Sequence, residues 1–166
     1  MTSLKKRWPK PEDDTPDPQA LENTAVGLLA RREHSRLELQ RKLTLRGYDL
    51  ADIETLLDRL AAQRLQSDTR FTESYVRMRS DRGYGIQRIR GELRERGITP
   101  ELIEHELALL AETDAGRIDD VWQRKFSGQY PQDYRERAKQ MRFLQQRGFS
   151  TDEIRRLFGR LSGMED

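Results

Sequence analysis

The chain carries a pattern that recurs three times at a spacing of about 50 residues. Gly47, Gly97 and Gly148 lie 50 and 51 residues apart, and the residues around each glycine also match. A leucine stands four residues before each glycine, an arginine one residue before it, and an isoleucine six residues after it. Eight such columns agree in register. A period near 50 residues predicts a repeat architecture, in which each unit is one small group of secondary-structure elements.

Each glycine is expected to end one helix and to begin a very short turn. A glycine at C′ adopts the left-handed conformation, and the apolar residue after it contacts the leucine column, as in a Schellman motif. The next residue, Asp49, Thr99 or Ser150, is of a type that caps a helix N-terminus. The isoleucine column then falls at N4 and packs against the apolar residue before the cap. The pattern therefore predicts two helices joined by a tight turn in each unit.

A further helix precedes each pair, because apolar residues recur there at helical spacing. These residues are Leu21, Ala25, Leu28 and Leu29 in the first unit, Phe71, Tyr75 and Met78 in the second, and Ile118, Trp122 and Phe126 in the third. Trp122 and Phe126 are expected in the core. Ser35 with Glu38, and Ser150 with Glu153, have the spacing of capping boxes.

We therefore predict an all-α protein of three tandem three-helix repeats, at 19–66, 67–113 and 114–166, with no strands. A unit of about 50 residues has a small core. Stacking of leftover apolar faces is expected to hold the units in an elongated, curved array, of right- or left-handed sense. Residues 1–18 hold four of the six prolines, and four basic against four acidic residues, which predicts a disordered tail.

The composition argues against several kinds of chemistry. The chain has no cysteine, which excludes disulfides, thiol catalysis and cysteine-bound zinc. His34 and His105 lie 71 residues apart, outside any metal-ligand spacing, and are expected on the surface or in helix caps. No phosphate-binding loop, nucleophile elbow, membrane-spanning run or signal-peptide core is found. We expect no catalytic residue, no metal, no cofactor and no membrane contact, and a soluble cytoplasmic protein.

Charge is segregated along the sequence. Residues 70–96 hold eight arginines against four acidic residues, and residues 124–147 hold seven basic against two acidic residues. Between them, residues 101–120 hold seven acidic residues and one arginine. A set of solvated helix faces explains this pattern, and the alternative is that basic and acidic surfaces face different partners.

The two basic segments supply the candidate partner-binding residues. Arginine pairs bidentately with phosphate and carboxylate, and basic side chains around an exposed aromatic suit a phosphate backbone or an acidic groove. The candidates are Arg70, Arg77, Arg79, Arg82, Tyr84, Arg88 and Arg90 in the second repeat, and Arg124, Lys125, Lys139, Arg142 and Arg147 in the third. Arg77, Arg79 and Arg82 are expected to lie off the apolar face of their helix. The arginine column at 46, 96 and 147 also fits helix C-termini, where a cation offsets the helix dipole.

Three stretches resemble the RecX family, the modulators of the RecA recombinase. They are LLARREHSRLELQRKLTLRG at 28–47, SDTRFTESYVRMRSDRGYG with IRGELRERGI within 67–98, and RKF with KQMRFLQQRGF within 124–149. The resemblance covers about residues 21–161, with the matches in order on the predicted repeats. Gln87 departs from the family pattern, since many relatives have proline after the glycine turn.

The resemblance implies a function and a partner. Proteins of this family bind RecA filaments on single-stranded DNA, lie along the helical groove, and reduce ATP hydrolysis, strand exchange and coprotease activity. Some also bind DNA weakly. The resemblance thus implies a regulator of recombinational repair and the SOS response, not an enzyme, and we expect a monomer. The residues alone leave two alternatives: a DNA-binding helical-repeat protein that acts independently of a recombinase, and a helical adaptor for an unrelated partner.

Overall fold

The computed structural model describes residues 17–113 and 116–163. Within these ranges the chain forms nine α-helices and no strand, which confirms the predicted fold class. The helices are α1 (Pro18–Leu29), α2 (Arg36–Thr44), α3 (Leu50–Ala62), α4 (Asp68–Asp81), α5 (Ile86–Glu95), α6 (Pro100–Thr113), α7 (Arg117–Phe126), α8 (Tyr134–Arg147) and α9 (Thr151–Ser162). None of these described helices is long and apolar enough to cross a bilayer.

The first helix begins earlier than expected. Asp17 caps α1 by accepting a hydrogen bond from the Gln19 backbone N–H at 3.0 Å, and Pro18 is its first residue. Proline suits this position because its missing N–H would have no partner there. The predicted tail boundary at residue 18 is therefore wrong by two residues. The rest of the predicted tail, residues 1–16, lies outside the described residues.

The glycine column ends the second helix of every repeat as predicted. Gly47, Gly97 and Gly148 have φ values of +88°, +76° and +97°. The N–H of the residue after each glycine donates to the carbonyl of the leucine that stands four residues before that glycine. The N···O distances are 3.4, 3.2 and 3.2 Å. Each glycine N–H donates to the carbonyl three residues earlier. These two bonds define a Schellman motif. The predicted capping box of Ser150 and Glu153 is also present.

Each repeat has its own core. The leucine and isoleucine columns are fully buried in all three repeats, and the buried apolar residues form three separate clusters, one per repeat. Trp122 is buried as expected, and its indole N–H donates to Gln140 at 2.7 Å. The three buried clusters stay separate, and the apolar contact between repeats is limited to their junctions, where Leu37 lies against Gly97 and Val121 against Gly83.

Turns that dock against turns join the repeats instead. Between the first and second repeats, the Ser35 hydroxyl donates to the Arg96 carbonyl at 2.8 Å. Between the second and third, the Gly85 N–H donates to the Arg147 carbonyl at 2.8 Å. In both junctions, the turn that begins the second helix of one repeat contacts the turn that ends the second helix of the next. The array is elongated because its helices pack most closely within repeats, while neighbouring repeats meet at these turns and through ion pairs beside them, such as Arg70–Glu33 and Arg96–Glu38.

The junction of the second and third repeats leaves no room for a side chain. A Cβ on Gly148 would lie 2.4 Å from the Arg88 Cβ and 2.6 Å from the Arg88 backbone nitrogen. A Cβ on Gly85 would lie 2.4 Å from the Gly148 carbonyl oxygen. Gly148 therefore both ends α8 and permits the backbones of two repeats to touch, whereas a Cβ on Gly47 would meet nothing within 4 Å.

The predicted capping box at Ser35 forms only in part. The Ser35 hydroxyl accepts from the Glu38 N–H at 3.1 Å, as expected. The Glu38 carboxylate instead contacts Arg32 at 3.0 Å and the His34 Nδ1 at 3.1 Å, and faces the Arg96 Nε at 3.4 Å across the junction. His34 is buried next to Ser35, the N-cap of α2, so of its two expected places, the surface or a helix cap, only the helix end fits. His105 is exposed, as expected.

We predict that Gly148→Ala destabilises the protein much more than Gly47→Ala. Both replacements force alanine into the left-handed region, which costs about 1–2 kcal/mol. Only Gly148→Ala also drives a Cβ into the backbone of the second repeat, and we expect a total loss of about 3 kcal/mol or more. Urea unfolding of both variants measures the difference. Equal losses would contradict the junction described here.

We predict that acidification weakens the first junction through His34. Burial, reinforced by the nearby Arg32 guanidinium, lowers the pKa of His34 below its ordinary 6.5, against the opposing effect of Glu38. The unfolded chain therefore binds a proton before the folded chain does, and stability falls as the pH drops below about 6.5. The His34→Gln variant has no such proton to bind.

The measurement is the free energy of unfolding of the native chain and His34→Gln from pH 7.5 to pH 5.5. The native chain should lose more stability over this range. Parallel pH profiles for the two proteins would count against the assignment.

Candidate partner-binding surface

The structure divides the twelve candidate residues into two groups of six. The first group is engaged inside the protein through ion pairs, carbonyl hydrogen bonds or ring contacts. It consists of Arg70, Arg79, Tyr84, Arg88, Arg90 and Arg147. The second group has exposed side chains and forms no ion pair within the described ranges, although Arg142 donates to the Ala138 carbonyl of its own helix and Lys125 lies 5.4 Å from the Phe143 ring centroid. It consists of Arg77, Arg82, Arg124, Lys125, Lys139 and Arg142.

Glu92 on α5 is the centre of the internal group. The Arg79 Nε lies 2.6 Å from one carboxylate oxygen, and a second Arg79 nitrogen contacts the other. Arg88 donates to the carboxylate at 3.0 Å, and the Tyr75 hydroxyl donates at 2.8 Å. Burial opposes ionisation of Glu92, but these three donors outweigh it and hold its pKa below the ordinary 4.5. Burial and the bond to Glu92 raise the pKa of Tyr75 to about 12.

The expectation that Arg79 lies off the packed face of α4 is therefore wrong. Its side chain is only 12% exposed. The Arg79 side chain lies against α5, because Glu92 of that helix offers it a bidentate partner. Burial would lower the Arg79 pKa, but the hydrogen bond and charge of Glu92 raise it overall. The Arg79 guanidinium therefore stabilises the packing of α4 on α5.

Tyr84 is enclosed by arginines rather than exposed between them. It is half-buried, and the guanidinium carbons of Arg79, Arg88 and Arg147 lie 3.7, 4.6 and 5.0 Å from its ring centroid. Arg147, the last residue of α8, also donates to the Arg82 carbonyl at 3.0 Å. Arg147 therefore stabilises the junction between the second and third repeats, in addition to any interaction with the dipole of its own helix.

Two further candidates are paired within the protein. Arg70 contacts Glu33 of the first repeat at 2.8 Å. Arg90 holds Glu104 of α6 through two hydrogen bonds of 2.7 and 2.9 Å, and the hydrogen bond from Arg90 lowers the pKa of Glu104. Their charges are therefore largely satisfied inside the protein.

The exposed candidates form two patches. The repeat 2 patch is Arg77 and Arg82, which border one hollow at the end of α4. The repeat 3 patch is Arg124, Lys125, Lys139 and Arg142, on α7 and α8. Lys125 and Lys139 border a common hollow of about 570 Å³, and Lys139 and Arg142 lie on one face of α8 because they are three residues apart. These six side chains can reach a partner without breaking an internal ion pair.

A third basic region was not evident from the sequence. Arg32, Arg79, Arg82 and Arg96 border a hollow of about 520 Å³ between the first and second repeats. Met78, which helical spacing places on the apolar face of α4, also lines this hollow and is 37% exposed. Arg32 and Arg96 are 64 residues apart in the sequence, and only the docking of the two repeats brings them together.

The molecule is thus a helical-repeat protein, with three small cores in tandem, joined by turns, and with solvent-facing cations. No group of three potential metal-ligating side chains occurs in the described ranges. Residues 23–60, 67–107 and 112–158 match, in order, the family models of the first, second and third three-helix domains of RecX. These matches cover most of the chain, and the chain belongs to the RecX family.

Relatives and solved structures agree with this assignment. The chain is 51% identical over 148 residues to Regulatory protein RecX of Pseudomonas entomophila (strain L48), an alignment that covers 89% of this chain and 94% of the relative. It is 52% identical to Regulatory protein RecX of Pseudomonas putida (strain GB-1), with 89% and 93% covered. The crystal structure of RecX from Lactobacillus salivarius superposes with a TM-score of 0.71 at 25% identity, over 88% of this chain and 97% of that chain.

We predict that Arg79→Glu and Arg77→Glu differ sharply in stability, although both make the same change in charge. Arg79→Glu leaves Glu92 without its bidentate partner and places a second carboxylate beside it, at a cost of about 2–4 kcal/mol. Arg77→Glu changes an exposed side chain and should cost less than about 0.5 kcal/mol. Thermal unfolding of the two variants tests the distinction. A similar melt for both would mean that the Glu92 cluster does not stabilise the second repeat.

Proposed function

We propose that this chain binds the RecA filament on single-stranded DNA, along the filament groove, and inhibits RecA ATP hydrolysis, strand exchange and coprotease activity. In this role it modulates recombinational DNA repair and the SOS response. The observation that carries the proposal is the match of all three repeats, in order, to the three domains of RecX. The names of the relatives, Regulatory protein RecX, support a regulatory rather than a catalytic role. We further propose that the protein acts in the cytoplasm as a monomer, without a cofactor.

The form of the molecule supports binding along a groove. Because each repeat has its own core, the three units extend one after another instead of forming one globule. The repeat 2 patch and the repeat 3 patch lie on successive units. Cations spaced along such an array can follow an anionic, repeating surface and are attracted to it over about a Debye length.

We assign the direct contacts to the exposed cations of both patches. Arg77 and Arg82 in the repeat 2 patch, and the four residues of the repeat 3 patch, are free of internal ion pairs in the described ranges. The six engaged candidates then act as positioning residues, because they hold the second and third repeats in place. The proposed direct contacts are thus six of the twelve candidate residues.

The direct test is RecA ATP hydrolysis on single-stranded DNA, titrated with the purified chain. We expect inhibition that saturates and weakens with added salt, because attraction between exposed charges is screened. Undiminished RecA activity at saturating concentrations of the chain would overturn the proposal.

A triple variant tests the repeat 3 patch. Reversing Arg124, Lys125 and Arg142 to Glu should raise the concentration for half-inhibition by about tenfold or more, since three attractive charges become repulsive. The matched control reverses Arg31, Arg46 and Arg64, three exposed arginines of the first repeat, and should change it by less than about twofold. Equal effects of the two variants would remove the repeat 3 patch from the contact surface.

The alternative of a DNA-binding protein that acts without a recombinase makes a different prediction. Binding of labelled single-stranded DNA by the chain alone would then be tight and would fall steeply with salt, because released counterions drive it. RecA activity at DNA concentrations far above those of the chain would be unaffected. The two titrations together distinguish inhibition through the filament from sequestration of DNA.

A further inference from the structure

The acidic stretch at 101–120 lies outside the two basic patches, and its first part forms α6. Its helix, α6, packs against α4, and between them lies a groove of about 620 Å³. Glu73 and Asp81 of α4 and Glu106 of α6 border this groove. Glu106 is only 8% exposed, although it lies on the groove wall.

The Glu106 side chain is largely buried, but its carboxylate oxygens keep some contact with solvent at the groove wall. Within the part of the chain that the structure describes, it accepts no hydrogen bond and forms no ion pair. Burial raises its pKa, and the neighbouring Glu73 carboxylate raises it further, while His105 acts in the opposite direction. Losing part of its hydration, without a protein partner in return, costs the charged carboxylate free energy. A cation that enters the groove would remove that cost.

The surroundings of Glu106 suit a long cationic side chain. Val76 is buried at the groove, Leu110 is partly buried, and Leu109 is 47% exposed. Arginine and lysine have apolar stems that pack on such residues while the charged group reaches a carboxylate. Arg77 and Arg117 also border the groove, so its net charge is small. Recognition therefore depends on the position of Glu106 and not on a general negative field.

We propose that the α4–α6 groove binds a guanidinium or ammonium group from a basic segment of a partner protein, with Glu106 as the carboxylate that receives it. Glu73 and Asp81 supply further acceptors at the groove, and Leu109 contacts an apolar residue beside the cation. The groove shares only Arg77 with the two basic patches, and the inference does not depend on RecA being the partner.

The test uses the full chain and a fluorescein-labelled peptide, acetyl-Leu-Arg-Leu-Arg-Leu-amide, in a fluorescence anisotropy titration. A second peptide replaces both arginines with citrulline, which keeps the shape and removes the charge. We expect the arginine peptide to bind at least about tenfold more tightly, because hydrogen bonds to charged groups in such sites correspond to that factor or more. Equal affinities for the two peptides would overturn the proposal.

Two matched variants locate the site. Glu106→Gln removes the buried charge, whereas Glu112→Gln makes the same change at an exposed position of α6 outside the groove. We expect Glu106→Gln to weaken binding of the arginine peptide about tenfold and Glu112→Gln to change it less than about twofold. Equal effects would overturn the assignment to Glu106.

The melting temperature of Glu106→Gln separates loss of binding from loss of fold. It should equal or exceed that of the native chain, because the variant removes an unpaired buried charge. A lower melting temperature would show that the carboxylate has a structural partner and would overturn the proposal. Sedimentation of the chain alone gives the last control. Self-association that Glu106→Gln abolishes would assign the groove to a second copy of this chain, and this result would also overturn the proposal.

Discussion

The contact between two glycine turns determines how this chain extends. Gly85 begins α5 and Gly148 ends α8, and their backbones approach so closely that neither position has space for a Cβ. Backbone N–H and carbonyl groups of the two turns then pair directly, with Gly85 donating to Arg147 and Gln87 donating to Gly148. The first junction has the same arrangement with Ser35 in place of Gly85, and uses the serine hydroxyl as the donor. Narrow junctions of this kind leave each repeat with its own small core and most of its surface accessible.

Most of the arginines in and next to the central repeat form contacts that hold helices and repeats together. Arg79 and Arg88 neutralise Glu92, Arg90 holds α5 to α6 through Glu104, and Arg147 joins two repeats beside Tyr84. Ion pairs that are partly shielded from water need such multiple hydrogen bonds to offset the loss of hydration. Among the twelve candidates, the cations without an ion pair in the described ranges are therefore only six, at the end of α4 and on α7 and α8.

The sequence predicts the local structure well and the long-range structure poorly. The Schellman turns at Gly47, Gly97 and Gly148 follow from interactions within six residues, which a repeat pattern makes visible. The partner of Arg79 is 13 residues away on another helix, and the partner of Arg70 is 37 residues away in another repeat. No spacing rule connects such residues, so the pattern that identified the basic segments could not separate paired from exposed arginines. Met78 illustrates the same limit, since helical spacing placed it on an apolar face that the structure leaves open at the junction of two repeats.

The central claim is that the exposed cations of the third repeat face the RecA filament, and site-specific cross-linking tests it most directly. Because the chain has no cysteine, Lys139→Cys and Arg64→Cys can each carry one benzophenone photo-cross-linker, on the third and first repeats respectively. With RecA assembled on single-stranded DNA, the account predicts efficient cross-linking to RecA from position 139 and little from position 64. Cross-linking from position 64 with none from position 139 would contradict it.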